Sequence, residues 1–195
     1  MKWERLAAAS FARATRSHLR MRGMADKPHS SDLRKGRYSA PGLVHFITSN
    51  VENKQPLLQP AGREIVIGSL KWARDNERIY LIGYVIMDDH LHFIYMLCER
   101  FTMSQVMNSL KRRTSREINK LRAAEGQFWQ EGYHDHAIRD AVDFWKHFHY
   151  MHNNPVRRSW VEKAQDYLWS TAHSSRESDI DWEAIGPLGW SGEVG

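Results

Sequence analysis

Two apolar runs separated by only three residues constrain the fold more than any other part of this sequence. They read YLIGYVIM at 80–87 and LHFIYMLC at 91–98, and such β-branched and aromatic residues are typical of strands. Between them stand Asp88 and Asp89, and short acidic side chains favour turns because they bond their own backbone. The stretch therefore predicts two adjacent strands joined by a tight turn.

The rest of the chain alternates between strand and helix patterns. An alternating run at 43–51 and a short run at 135–139 predict two more strands. Apolar residues at helical spacing predict helices over 61–76, 101–122 and 141–154. Pro155 should close the last helix, because proline disfavours the helical conformation in the residue before it. This order predicts a ferredoxin-like α+β fold: a four-stranded antiparallel sheet with helices packed on one face.

The domain organisation follows from composition and charge. The net charge is +5, but residues 1–37 hold ten Lys and Arg against three acidic residues, and the remainder holds 18 against 20. We expect a basic, disordered tail at 1–36, one domain over 37–175 and a C-terminal tail at 176–195. An upstream extension ending before Met24 also fits the first segment. Overall charge therefore says little about partners, and only local basic clusters can indicate nucleic-acid binding.

The single cysteine and the hydropathy pattern exclude two classes of protein. Cys98 alone can form neither a disulfide framework within the chain nor a cysteine-based zinc site. No apolar run approaches the roughly 18 residues that a membrane span needs. We expect a protein of a reducing cytoplasm with no membrane partner.

His90 and His92 are the first candidates for chemistry. Residues two apart on a strand point to the same face, so the two imidazoles should lie side by side, fit to hold a cation or a phosphate. Two partly buried histidines satisfied by neighbours are the plainer alternative. His134 and His136 repeat the spacing and are a rival metal pair, which we interpret as mainly structural.

Tyr150 and Asn154 are the second candidates. They are four apart in the predicted helix 141–154 and should share one face. A tyrosine hydroxyl can act as a nucleophile once its proton is removed, and an amide oxygen could complete a metal site begun by two histidines. For a tyrosine alone, packing its ring on an amphipathic helix is the simpler interpretation.

Local basic clusters are the third candidates. Such runs usually form the solvated face of a helix, but in a DNA enzyme they neutralise phosphates, and binding then weakens with salt. The candidate DNA-binding residues are Lys111, Arg112, Arg113, Arg116, Arg139, Arg157 and Arg158.

Taken together, three motifs resemble a known family. MDDHLH at 87–92, FWQEGYHDHAIR at 128–139 and YMHNNPVRR at 150–158 are similar to the motifs of single-tyrosine HUH transposases of the insertion-sequence type. The branch they resemble most is that of the REP-associated tyrosine transposases of bacteria. The resemblance covers about residues 37–173, and a ferredoxin-like sheet is the fold it implies.

The resemblance implies a role for each matching residue. His90 and His92 would bind a divalent metal ion, Mg²⁺ or Mn²⁺, Asn154 would complete the metal site, and Tyr150 would be the nucleophile. The implied reaction cleaves and rejoins single-stranded or hairpin-forming DNA through a 5′-phosphotyrosine link, in a cytoplasmic monomer or homodimer. The family commonly has proline where Asp88 stands, which leaves the metal preference open. A non-catalytic nucleic-acid-binding module and a nuclease that forms no covalent link are the alternatives.

Overall fold

The computed structural model describes residues 42–189, so the expected tail at 1–36 and Met24 lie outside the described residues. Its main elements in chain order are β1 (Val44–Asn50), α1 (Pro60–Asp75), β2 (Ile79–Ile86), β3 (His90–Leu97), α2 (Met103–Leu121), β4 (His134–Ala137), α3 (Ala141–His152) and α4 (Asn154–Arg157). None of the helices in this part of the chain combines the length and apolar composition that crossing a bilayer requires.

The four strands form one sheet in the order β2-β3-β1-β4, and every neighbouring pair is antiparallel. The element order βαββαβ and this strand order are those of a ferredoxin-like fold. The predicted α+β fold with a four-stranded antiparallel sheet is therefore confirmed. The register places Thr48 of β1 opposite His92 of β3 on one side and His134 of β4 on the other.

One face of the sheet is covered by α1 and α2. Both helices are amphipathic, and their apolar residues meet the strand residues Ile47, Leu81 and Phe93, all completely or almost completely buried. Helix α2 begins with a capping box, in which the Thr102 side chain and the Gln105 side chain each bond the other's backbone amide. Such a cap contributes about 1 kcal/mol, and it determines where the helix starts.

The opposite face is covered by α3, which corrects the expectation that all helices pack on one face. Phe144, Trp145, Phe148 and Met151 of α3 pack on strand residues that point away from α1 and α2, such as Ile82 and Ile94. Because alternate residues in the middle of β2 and β3 are apolar on both sides, both faces need a cover. Gly83 permits close approach, since a Cβ there would lie 2.9 Å from Cε of Met151.

The prediction that Pro155 closes the last helix is wrong in one respect, because the chain remains helical beyond it. Helix α3 ends at His152, and the short helix α4 begins at once with Pro155 in its first turn. Proline is tolerated there because the first amides of a helix have no partner within the helix. The chain therefore continues helically to Arg157, which keeps Arg157 and Arg158 close to the end of α3.

The segment after α4 folds back onto the sheet. Tyr167 donates its hydroxyl proton to the Ile86 carbonyl at 2.8 Å, and Asp181 accepts from the Leu81 amide at 2.8 Å. The buried Asp179 accepts from the Tyr84 hydroxyl at 2.7 Å and pairs with Lys71 at 2.6 Å. Residues 176–189, expected as a tail, thus cover part of β2 in the described structure.

Candidate functional site

The two histidines of the turn lie side by side on the α3 face of the sheet, as predicted. His90 opens β3 and His92 follows two residues later, and their ring centroids are 4.7 Å apart. His92 is 4% exposed, because it lies beneath the Phe46 ring at 5.2 Å and the Tyr150 ring at 5.8 Å. Both rings are held by a rigid strand rather than by a loop.

Each ring is oriented through Nδ1. The Asp89 carboxylate lies 2.5 Å from Nδ1 of His90, and Oγ1 of Thr48 lies 2.7 Å from Nδ1 of His92. Because a carboxylate only accepts, Nδ1 of His90 is the donor and its Nε2 keeps a lone pair. Metal-binding histidines are commonly held in this way, through a hydrogen bond from the nitrogen that does not face the metal.

Electrostatics keep both imidazoles neutral. Burial, together with the neighbouring His90, lowers the pKa of His92 to about 3. Burial also lowers the pKa of His90, against the opposing effect of its hydrogen bond to Asp89. A neutral imidazole is the form that can bind a metal ion. The donor set of this corner thus fits a divalent cation.

Tyr150 stands above this corner on the exposed side of α3. Its side chain is 43% exposed, and its ring also meets the edge of Phe46 at 6.3 Å. The guanidinium carbon of Arg157 lies 5.3 Å from the Tyr150 ring centroid. The structure therefore brings the predicted nucleophile together with His92 and with one of the predicted DNA-binding residues.

Asn154 follows Tyr150 by one helical turn, as predicted. Its Nδ2 donates to the Tyr150 carbonyl at 3.2 Å, which ties the side chain to the end of α3. With Nδ2 used in this way, Oδ1 is the atom that remains to serve as a ligand. This hydrogen bond holds the Asn154 side chain next to the Tyr150 backbone. The role of Asn154 in metal binding stays a prediction.

An ion-pair bridge joins the end of the tyrosine segment to the turn before His90. The Arg158 guanidinium bonds Asp88 through Nη1 and Asp89 through Nη2, both at 2.8 Å. Burial raises the pKa of Asp89, but the hydrogen bonds from Arg158 and His90 outweigh it and hold that pKa below its ordinary value. Arg158, predicted to bind DNA, has its guanidinium engaged in this bridge.

The other predicted DNA-binding residues lie in three places. Arg112, Arg113 and Arg116 line a groove of about 1020 Å³ between α1 and α2, on the face opposite Tyr150. Lys111 is tied down, since its ammonium donates to the carbonyls of Gln130 and Gly132. Arg139 lies beside Asp143, with 3.5 Å between Nε and Oδ2.

Several residues of the site were not predicted from the sequence. Thr48 and Phe46 come from a strand more than 40 residues before His92, and only the pairing of β1 with β3 brings them there. Asp143 and His147 share one side of α3 at a spacing of four residues, which was a usable signal.

The chain is similar to known proteins both in sequence and in fold. A family model described as "Transposase IS200 like" matches residues 43–154, more than half of the chain. The chain is 25% identical over 158 residues to the REP-associated tyrosine transposase of Escherichia coli (strain K12), covering 81% of this chain and 90% of that protein. A second relative, from Haemophilus influenzae, is 28% identical over 127 residues, 58% of this chain and 72% of that protein.

A solved structure is also similar. It shows a REP-associated tyrosine transposase bound to a REP hairpin, and it matches with a TM-score of 0.63 at 22% sequence identity. The match covers 88% of this chain and 94% of that chain. At this identity the likeness concerns the fold: the mixed sheet-and-helix architecture is shared almost throughout.

Proposed function

The chain belongs to the IS200-like transposase family, as its motifs predicted, and on that premise we propose that it cleaves and rejoins single-stranded DNA through Tyr150. The covalent intermediate is a phosphodiester between the tyrosine oxygen and a DNA 5′-phosphate. The scissile strand belongs to a single-stranded or hairpin-forming DNA, as the hairpin-bound relative suggests.

The observation that carries this proposal is the orientation of the two histidines under the tyrosine. The Asp89 carboxylate accepts from Nδ1 of His90, and the Thr48 hydroxyl bonds Nδ1 of His92, so the proposed ligands beside the Tyr150 ring are the two Nε2 atoms. Oδ1 of Asn154, one turn after Tyr150, is the proposed third ligand. Two imidazoles and an amide oxygen fit Mn²⁺ or Mg²⁺. When bound, such an ion withdraws charge from a phosphate oxygen and orients the phosphate for in-line attack.

The chain's own residues account for the remaining chemistry. Tyr150 loses its hydroxyl proton, and its oxygen attacks the scissile phosphorus. The new bond forms as the bond from phosphorus to the 3′-oxygen breaks, and the leaving 3′-oxygen takes up a proton. Rejoining is the reverse, in which a 3′-hydroxyl attacks the phosphotyrosine and Tyr150 recovers its proton. One phosphodiester is exchanged for another, so no external energy source is needed.

Arg157 is the proposed cation of the reacting centre. Its guanidinium lies against the Tyr150 ring at 5.3 Å and is exposed, so it can meet the phosphate that Tyr150 attacks. Extra negative charge develops on that phosphate during attack, and a nearby guanidinium stabilises it. A second DNA contact is proposed in the groove of the opposite face, at a distance from the reacting centre. Its residues are Arg112, Arg113 and Arg116.

A covalent-adduct assay tests the proposal. Full-length protein is incubated with labelled single-stranded DNA containing a palindrome, with Mn²⁺, Mg²⁺ or chelator, and analysed on a denaturing gel. We expect a metal-dependent protein–DNA adduct that Tyr150→Phe abolishes, whereas His149→Ala, a change at the adjacent exposed position, leaves it in place. Cleavage that survives Tyr150→Phe would indicate the nuclease alternative. Binding with no cleavage under any metal condition would indicate the non-catalytic module.

A further inference from the structure

A second group of metal-binding side chains lies on the α3 face, apart from His90 and His92. It consists of His136 from β4 with Asp143 and His147 from α3. Nε2 of His136 lies 2.8 Å from Oδ2 of Asp143, and Nδ1 of His147 lies 3.2 Å from Oδ1. The three potential ligand atoms lie within 4.8 Å of one another. The two imidazole rings are stacked, with centroids 4.3 Å apart.

The fold assembles this group from an edge strand and the helix that carries the nucleophile. His136 pairs with Phe46 across β1 and β4, so its ring points to the α3 face. Asp143 lies in the first turn of α3, where the Asp140 side chain accepts its amide proton at 2.8 Å, and His147 follows one turn later. The positions of all three side chains are therefore set by secondary structure and by a helix cap.

The environment suits a cation. Asp143 is 9% exposed, His147 19% and His136 37%, so the group is shielded on one side and open to solvent on the other. Without an ion, Nε2 of His136 can donate to the Asp143 carboxylate, and Nδ1 of His147 donates to the Asp143 main-chain carbonyl at 2.8 Å. A cation would replace these two hydrogens, and each ring would keep its proton on its other nitrogen. Nε of Arg139 lies 3.5 Å from Oδ2 of Asp143, but this side chain is 77% exposed and free to turn away.

We propose that His136, Asp143 and His147 form a second metal site, which takes a borderline divalent cation such as Zn²⁺. Two imidazoles and one carboxylate, with a fourth position open to water, are a donor set that Zn²⁺ favours over Mg²⁺. This site differs from the His90–His92 corner, which is proposed to use an amide oxygen as its third ligand. The second site does not depend on the transposase chemistry.

The bound ion would connect β4 to α3 at a sensitive place. His147 precedes Tyr150 by three residues on the same helix. The Phe46 ring packs between the two sites, with its centroid 5.0 Å from that of His147 and 5.2 Å from that of His92. The four-residue strand β4 pairs only with β1 among the described strands. A cation shared by β4 and α3 would thus stabilise the edge of the sheet and the helix that positions Tyr150.

Zinc titration of the full chain tests the proposal. To remove the first site from the measurement, the variants are built on His90→Ala/His92→Ala and treated with chelator before calorimetry. We expect this background to bind about one Zn²⁺ per chain, and binding to weaken at least about tenfold on adding His147→Ala or, separately, His136→Gln. His149→Ala, on the same helix but outside the group, should leave binding unchanged.

Two further measurements make the outcome decisive. Zn²⁺ should raise the melting temperature of the background protein but not of the His147→Ala or His136→Gln versions, whose circular dichroism must match the background. Co²⁺ should give a visible absorption band that disappears with the same substitutions. If the background binds no Zn²⁺, or if neither substitution weakens binding, the second site does not exist.

Discussion

The two faces of the sheet differ in the side chains that they bury. Along β3 the residues toward α1 and α2 are Leu91, Phe93, Tyr95 and Leu97, all buried hydrophobic side chains. The alternate residues begin with His90 and His92 and continue with Ile94. The face under α1 and α2 holds the larger apolar core, whereas the α3 face combines a smaller core with a row of imidazoles.

The difference teaches how a small domain accommodates buried polar groups. On the α3 face, His90, His92 and His136 each have a hydrogen-bonding partner, which is Asp89, Thr48 and Asp143 respectively. A buried polar group with a partner costs little, while one without a partner costs about 1–3 kcal/mol. The apolar face supplies the stability that allows the other face to be polar.

The largest effects are expected when two adjacent residues of β3 that point to opposite faces, Phe93 and His92, are substituted separately. Phe93→Ala should lower the free energy of unfolding by about 3–5 kcal/mol, because it leaves a cavity in the larger core. His92→Asn keeps a polar group beside Thr48 and should cost only about 1–2 kcal/mol. Yet it should reduce adduct formation at least about a thousandfold, because a proposed ligand is lost. Urea unfolding and the gel assay measure the two effects, and similar stability losses would show that the faces are equivalent.

Substitutions in the ion-pair bridge test whether its contact with Asp89 is needed to orient His90. Asp89→Asn should slow adduct formation by about 10–100-fold, since Asp89 accepts from both Arg158 and His90. Asp88→Asn is the matched control, because Asp88 bonds Arg158 alone in this bridge, and its effect should be several times smaller. Single-turnover rates at saturating Mn²⁺ distinguish the two. Equal effects would mean that orientation of His90 is unimportant.

Unfolding measured at several pH values tests whether burial on the α3 face raises the pKa of the Tyr167 phenol. Burial raises the pKa of Tyr167 to about 12, above its unfolded value of 10.0. A group whose pKa is raised by folding stabilises the protein below its unfolded pKa, and this stability is lost as the pH rises through 10 to 12. Tyr167→Phe loses the bond to Ile86 and should cost about 1 kcal/mol at neutral pH. The deficit should shrink or reverse by pH 11, and a constant deficit in urea unfolding would contradict the assignment.

The smallest effect is expected in the basic groove behind the apolar face. Arg112→Gln and Arg116→Gln each remove one exposed charge. Each should weaken binding of a hairpin DNA a few-fold and lower the slope of log affinity against log salt by about 1. Lys120→Gln, an exposed position on α2 outside the groove lining, is the control. Fluorescence anisotropy at several salt concentrations measures the slope, and no difference from the control would remove the groove from the DNA path.

The sequence by itself determined the local parts of the site. The period of two along a strand placed His90 and His92 on one face, and the helical period placed Asn154 one turn after Tyr150. The positions of seven of the main elements agree with their apolar patterns to within about two residues, the usual uncertainty at element ends. Local repeat distances depend only on backbone geometry, so residues close in sequence could be placed correctly.

The tertiary structure decided which of these parts meet. An amphipathic pattern shows that a helix has an apolar side but not which face of a sheet that side covers, so the placement of α3 opposite α1 and α2 was missed. The same limit hid the contacts of His136 with Asp143 and of Arg158 with Asp88 and Asp89. Each joins residues from different elements, and only the packing of α3 and the path of α4 bring them within bonding distance.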